Sequence, residues 1–379
     1  MEDVEMSAGK LDAFDPAFWA GKRVWVSGHT GFKGAWLCAW LSLLGARVMG
    51  TSLPAPSRES LAWVAVAPGL AAAGLVDHRQ DVQDAAGLGA ALDAFRPQIA
   101  MHLAAQAIVL DSYADMAGTW GPNVMGTLAA LQAAGASGAR AFVAVTSDKC
   151  YANKGWEWGY RETDELGGAD PYSASKAACE MLVSSWRASA SEKTGMRVGS
   201  ARAGNVIGGG DNAPWRILPE MLAAFGRGEP GRVRNPDSTR PFQHALEPLS
   251  GYMLLARRLF EQSQGGAAFD EAFNFGPGSA DGERSARWLA TSAARAWGAG
   301  ASVELGVGEA GSKEARVLML DSAKAGKRLG WASTWDAGRA VEMSVAWERR
   351  RLAGDAAAAT ADQIRIFEND ARSGARSER

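Results

Sequence analysis

A short apolar strand, Arg23-Val24-Trp25-Val26-Ser27, runs directly into Gly28-His29-Thr30-Gly31-Phe32-Lys33-Gly34 and then into a helical pattern reaching about Leu44. Few folds begin this way. Glycines at this spacing let the chain turn tightly and approach a ligand with its backbone, while the N–H groups that open the helix attract an anion such as a pyrophosphate. Because the chain holds 45 glycines, the spacing alone carries little weight. Set between a strand and a helix near the start of an alternating chain, it points to dinucleotide binding.

The alternation continues. Apolar runs predict further strands at 46–50, 74–77, 98–103, 141–146 and 197–202, with helices at 88–95, 118–134 and 171–194. Such alternation implies an α/β fold, a doubly wound parallel Rossmann sheet whose ligands sit at the carboxyl ends of its strands. After Gly204 the pattern breaks into loops, a basic turn-rich segment at 234–241 and separate helices, which predict a smaller C-terminal substrate-binding lobe. The expected division is an N-terminal extension over 1–18 and the dinucleotide domain over 19–204, with parts of later segments returning to it. Residues 205–353 are mainly substrate lobe, and 354–379 form a tail expected to fray at its end.

Composition removes several classes of function. With 40 basic and 42 acidic residues the formal net charge is −2, so there is no electrostatic footprint for nucleic acid or an anionic membrane. Cys38, Cys150 and Cys179 have neither metal-ligand nor disulfide spacing, and with four histidines no metal site is expected. The N-terminus lacks an apolar signal core and the apolar run 35–46 is too short to span a bilayer, which predicts a cytoplasmic protein.

Chemistry gathers between Thr146 and Lys176. Tyr172 and Lys176 stand four apart, on one face of a helix, so the ammonium is expected to hold the phenol down toward physiological pH. At the end of the preceding strand, Ser147-Asp148-Lys149 offers a hydroxyl, a carboxylic acid and an amine. Together these groups can oxidise an alcohol and then do acid/base work on the ketone formed. For the cofactor, the second strand ends in Gly50-Thr51-Ser52-Leu53-Pro54 without the acid that would mark a ribose 2′-hydroxyl. His29, Lys33 and Arg58 could instead meet a 2′-phosphate, which leaves NAD and NADP both open. Asp81, followed by Val82, is placed to accept from an adenine amino group or to serve as a helix N-terminal acid. Leu103-Ala104-Ala105-Gln106 closes the next strand with small residues that let a nicotinamide ribose lie close.

Taken together, these motifs resemble those of the extended short-chain dehydrogenase/reductases of the NAD-dependent epimerase/dehydratase type, and within them the CDP-glucose 4,6-dehydratases. The resemblance rests on 18–24, 28–34, Ser147-Asp148-Lys149-Cys150-Tyr151, 158–162, 170–176, 202–211 and 240–248. It implies a lyase that oxidises C4 of CDP-glucose or a related nucleotide hexose, removes water across C5–C6 and returns hydride to C6. In that reading Tyr172, steadied by Lys176, takes the 4-hydroxyl proton and Ser147 hydrogen-bonds the same oxygen. Lys149, or a water it orients, removes the C5 proton, and Asp148 protonates the departing 6-hydroxyl. Gln106, Asn205, Arg216, Arg240 and Asn274 are implied for the substrate, and a homodimer through the helix of Tyr172 and its neighbour at 118–134. Two segments depart from the family pattern, Ala107–Leu110 and Asn212–Trp215, and both fall where substrate is expected. An NAD(P)-dependent epimerase or reductase of the same fold is the alternative.

Overall fold

The computed structural model describes residues 12–54, 59–278, 283–306 and 318–377. Its centre is a seven-stranded sheet, formed by Arg23–Ser27 (β1), Arg47–Ser52 (β2), Val76–Arg79 (β3), Ile99–His102 (β4), Ala141–Val145 (β5), Arg197–Ala203 (β6) and Ala272–Phe275 (β7). Its order is β7-β6-β5-β4-β1-β2-β3, with every pairing parallel. The order reverses between β1 and β4, where Val24–Ser27 pair with Ile99–His102, so the crevice of a doubly wound sheet opens there. The central strands are apolar on both sides because helices cover both faces.

The longer helices are Phe32–Leu43 (α1), Leu61–Ala72 (α2), Ala85–Phe95 (α3), Gly126–Ala136 (α4), Pro171–Ser189 (α5), Ile217–Gly226 (α6), Leu246–Gln262 (α7), Ala286–Trp297 (α8), Ala337–Leu352 (α9) and Ala356–Ser377 (α10). On one face α1, α2, α7 and α10 build a core around Trp36, Trp40, Leu249, Leu255 and Phe367. On the other, α3, α4 and α5 pack Leu88, Leu92, Leu131 and Val183 against Phe142 and Val198 of the sheet. A separate cluster joins α6, α8 and α9 through Leu218, Phe225, Leu289 and Val345.

Among the later segments, α7 packs on β5 and β6, and β7 forms the edge of the sheet beside β6. The C-terminal tail is the larger departure from expectation. Residues Ala356–Ser377 form one helix, with Ile364 and Phe367 wholly buried. Phe367 lies edge-on to Trp40 and Trp335, and Glu368 accepts from the Trp40 indole N–H at 2.8 Å. Helix α10 packs against α9 and α2, with Ala356, Ala359 and Ala371 among its buried residues. Helix α2 lies outside the expected elements, and it carries Pro68 and Gly69 in its interior. Packing against α1 overrides that local preference. At the other end, the Trp19 indole donates to Ala13 at 2.7 Å, and Arg258 pairs with Asp12 at 2.6 Å, fixing the last residues of the extension to α7. Among the described residues no helix is long and apolar enough to cross a membrane.

Candidate active site

The glycine turn has steric reasons for its glycines at both ends. Gly28 holds φ at +74°, and a Cβ there would lie 2.8 Å from the Ala104 nitrogen. A Cβ on Gly34 would come within 2.1 Å of the Gly28 carbonyl oxygen, so any side chain would push α1 off β1. Helix α1 has no side-chain cap at Gly31, and Gly31, Phe32, Lys33 and Gly34 line a cleft of about 1960 Å³. Uncapped N–H groups aimed into a cleft are what a pyrophosphate requires. Thr30, Asp81, Val82, Leu103, Ala104 and Ala105 line the same cleft.

Two expectations for the cofactor end, those for His29 and Lys33, change on sight of the structure. His29 is buried behind the cleft wall, its Nε2 2.8 Å from Asp77 Oδ1. The Lys33 amine reaches inward and donates to the Tyr252 hydroxyl at 3.2 Å. Burial, then repulsion from Lys176 and Arg216, pulls this amine down to about 7. Arg58 lies outside the described residues. Thus neither His29 nor Lys33 is disposed to hold a 2′-phosphate, and the nearby Arg79 is already engaged by Asp77 at 2.6 Å and Glu59 at 2.7 Å. Asp81 accepts from the Gln83 backbone N–H at 2.9 Å while still facing the cleft.

Across the cleft stand the groups from β5 and α5. Strand β5 delivers Thr146-Ser147-Asp148, where the Ser147 hydroxyl donates to Asp148 Oδ1 at 2.9 Å and accepts from the Lys149 backbone N–H at 3.2 Å. Helix α5 starts at an Asp170 cap, which accepts from the Ser173 N–H at 2.8 Å and so sets the rotation that turns Tyr172 toward Ser147. Ser147, Asp148, Lys149 and Tyr172 all line the cleft. Asp148 is buried, and that burial raises its carboxyl against the opposing charge of Lys149 and the Ser147 hydrogen bond.

The phenol is not held low by its lysine. Burial pushes Tyr172 up to about 12, opposed first by its hydrogen bond to Ser147, with Asp148 adding to the rise. Lys176 stands behind, its ammonium 6.0 Å from the phenol ring centroid, and burial lowers it in turn. At that range inside a packed helix face, desolvation of the phenol outweighs the ammonium.

Of the implied substrate residues, Asn205, Arg216 and Arg240 line the cleft. Arg216 is paired with Asp211 at 2.7 Å, and Arg240 donates to the Thr239 carbonyl at 2.6 Å. Gln106 also lines it, but its side chain is turned onto its own loop through the Ile108 carbonyl and N–H. Asn274 stands apart from the others. It accepts from Tyr151 at 2.8 Å and donates to the carbonyls of Tyr160 and Asp321, binding three segments together beneath the site.

Sequence reasoning missed the frame that holds these groups. Glu180, four residues beyond Lys176 on the same helical row, takes hydrogen bonds from Thr146, from Ser200 at 2.7 Å and from Arg202 at 2.8 Å. Arg202 also donates to Tyr151 at 2.7 Å. Both members of this ion pair are almost wholly buried, so it fastens the end of β5 to α5 and β6. Extending the Tyr172–Lys176 row by one more turn would have found it. Asn123 was also missed. It sits in a π-helical turn, Gly121–Met125, accepting from the Gln106 N–H at 2.8 Å and donating to Ser175 at 2.9 Å.

Glu180→Gln should therefore leave Arg202 charged and uncompensated, at a cost of about 3–5 kcal/mol. A urea melt with a lower midpoint and an unchanged slope would show it. The Glu180 carboxyl lies below its ordinary 4.5, with burial opposing and Arg202 driving the shift. Its contribution is accordingly complete above that ordinary value and lost as pH falls through the lower folded one, a loss the variant should lack.

Comparison with known proteins adds an independent line. The model of the NAD dependent epimerase/dehydratase family matches residues 24–274. The chain is 42% identical over 347 residues to CDP-glucose 4,6-dehydratase of Salmonella typhimurium, covering 90% of this chain and 94% of that protein. Among solved structures, an epimerase from Methanothermobacter thermautotrophicus superimposes with a TM-score of 0.75 at 19% identity, over 95% of this chain and 98% of that one. A dTDP-glucose 4,6-dehydratase from Streptomyces venezuelae, with NAD and TYD bound, gives 0.70 at 23% identity, over 88% and 98%. These two structural likenesses speak to the fold alone.

Proposed function

We propose that this chain, which belongs to the NAD-dependent epimerase/dehydratase family, is a nucleotide-sugar 4,6-dehydratase acting on CDP-glucose or a close relative. The observation that carries this reading is the pair Ser147–Asp148, 2.9 Å apart, with a buried acid of raised pKa facing Tyr172 in one cleft. An epimerase or reductase needs the tyrosine and the serine but leaves a protonated carboxyl without work.

The cofactor is NAD, which when bound supplies the acceptor and later the donor of a single hydride. The uncapped start of α1 and the Gly28–Gly34 turn would hold its pyrophosphate. Tyr172 takes the proton from the sugar 4-hydroxyl, and Ser147 hydrogen-bonds that oxygen as it becomes a carbonyl. In the complex, Tyr172 would also feel the positive charge of an oxidised nicotinamide, which favours its ionised form. The 4-ketone then acidifies the C5 hydrogen, which Lys149 or a water held by it removes. Asp148 gives its proton to the departing 6-hydroxyl, so water leaves and a C5–C6 double bond forms. Lys149, or the water it holds, returns the proton to C5 as C6 regains the hydride taken from C4, giving the 4-keto-6-deoxy sugar nucleotide with no net use of cofactor. Arg216 and Arg240 meet the diphosphate of the substrate.

Incubation with a panel of nucleotide hexoses should give a product with the ultraviolet absorbance that base induces in 4-keto-6-deoxy sugars. A 4-epimer, or steady consumption of added reduced cofactor, would support the alternative.

We also propose a homodimer on the helical face beside the site. Leu110, Tyr113, Met116, Trp120, Met125 and Met181 are exposed on or beside α5 and the short helical segments packed against it, apolar side chains that a partner helix pair would cover. Gel filtration at micromolar concentration should show twice the chain mass of 39.9 kDa, and a monomer there would remove the dimer. A biosynthetic enzyme using nucleotide sugars and NAD belongs in the cytoplasm, where both are held.

A further inference from the structure

Trp215 adopts φ +65°, a left-handed conformation that is strained for a bulky side chain and persists only where neighbours enforce it. Here the enforcement is visible. The Trp215 backbone N–H donates to Glu220 Oε1 at 3.1 Å, and Arg234 donates to the same carboxylate at 3.2 Å. The Arg234 guanidinium lies 5.5 Å from the indole centroid, and the indole itself is 54% exposed. An exposed tryptophan held in strain contributes no core, so stability does not account for it. Trp215, Arg234 and Glu220 all line the cleft that contains the catalytic groups.

We infer that Trp215, backed by Arg234, is the stacking plate for the nucleobase of the substrate, and so a specificity-determining residue of this chain. The inference rests on the nucleotide-sugar reading above. Trp215 directly precedes Arg216, one of the two arginines given to the diphosphate, and the groups next along a nucleoside diphosphate are its ribose and its base. The Arg234 charge is offset by Glu220, so the plate offers a flat polarisable surface in place of another phosphate site. The loop Asn212–Trp215 is also where this chain departs from the family pattern, which makes the plate a feature of this protein.

The test is calorimetric titration of CDP into wild type, Trp215→Ala, Trp215→Gly and Trp215→Phe. Glycine accepts φ +65° without strain, so it removes the ring while preserving the loop. Removal of one base stack should weaken CDP about tenfold in both the Ala and Gly variants, with Phe within about threefold of wild type. In turnover the same variants should raise KM for the sugar nucleotide and leave kcat and NAD affinity nearly unchanged. If CDP binds wild type while both ring-less variants bind it equally well, the plate is refuted and the dehydratase reading stands. If wild type binds neither CDP, UDP, dTDP nor GDP, the nucleotide-sugar reading falls and the plate falls with it.

Discussion

Tyr172→Phe is expected to lower kcat about a thousandfold, within the range for loss of a positioned general base. The phenol ring remains, so the packing of α5 and the binding of NAD should not change. Since burial places Tyr172 at about 12 in the protein alone, ionisation in the working complex depends on the cations around it. The sign follows. C4 oxidation by wild type should speed up as pH rises, because more of the phenol is ionised. In the Phe variant that rising limb should vanish. Single-turnover formation of reduced cofactor across a pH series would measure both. A variant that keeps the limb would mean that another group takes the proton.

Asp148→Asn should separate the two halves of the reaction. The amide preserves shape and can still accept from the Ser147 hydroxyl, but it has no proton to give. Oxidation at C4 should continue, while expulsion of water should slow by about two to four orders of magnitude. The enzyme would then stall at the 4-ketone, and reduced cofactor would accumulate on it to near one per site. Wild type should show no such accumulation. Burial keeps the Asp148 carboxyl above its ordinary value, so dehydration in wild type should fail as pH rises through that raised value. The asparagine variant, already without the proton, should lack this alkaline decline. Equal loss of both half-reactions would place Asp148 in the first step.

How far the sequence reached depended on whether a signal was local. Strand β1 was read at its true bounds, because an apolar run ending in a glycine turn has few other meanings. Ser147 through Lys149 and Tyr172 stand out in sequence because each belongs to a short motif, and the fold brings all four to one cleft. What escaped detection depended on distant partners. Nothing near Pro68 shows that α1 will hold α2 together, and nothing in the alanines of 356–359 shows that Trp40 and Trp335 will clamp Phe367. The Glu180–Arg202 pair joins residues 22 apart in sequence and is meaningful only once β6 lies beside β5. Asn274 is implied for substrate by the family resemblance, whereas its amide is spent on Tyr151, Tyr160 and Asp321. The lowering of Tyr172 by Lys176 was argued from spacing on a helix, but the outcome turned on burial, which spacing does not report.

If one hydride leaves C4 and returns to C6 of the same sugar while Asp148 expels water between the two transfers, CDP-glucose carrying deuterium at C4 reports it. Converted without added cofactor and examined by mass spectrometry and NMR, it should give a 4-keto-6-deoxy product one water lighter, with the deuterium in its C6 methyl group. Deuterium found at C4 of an epimer, or lost to a cofactor pool that must be replenished, would contradict it.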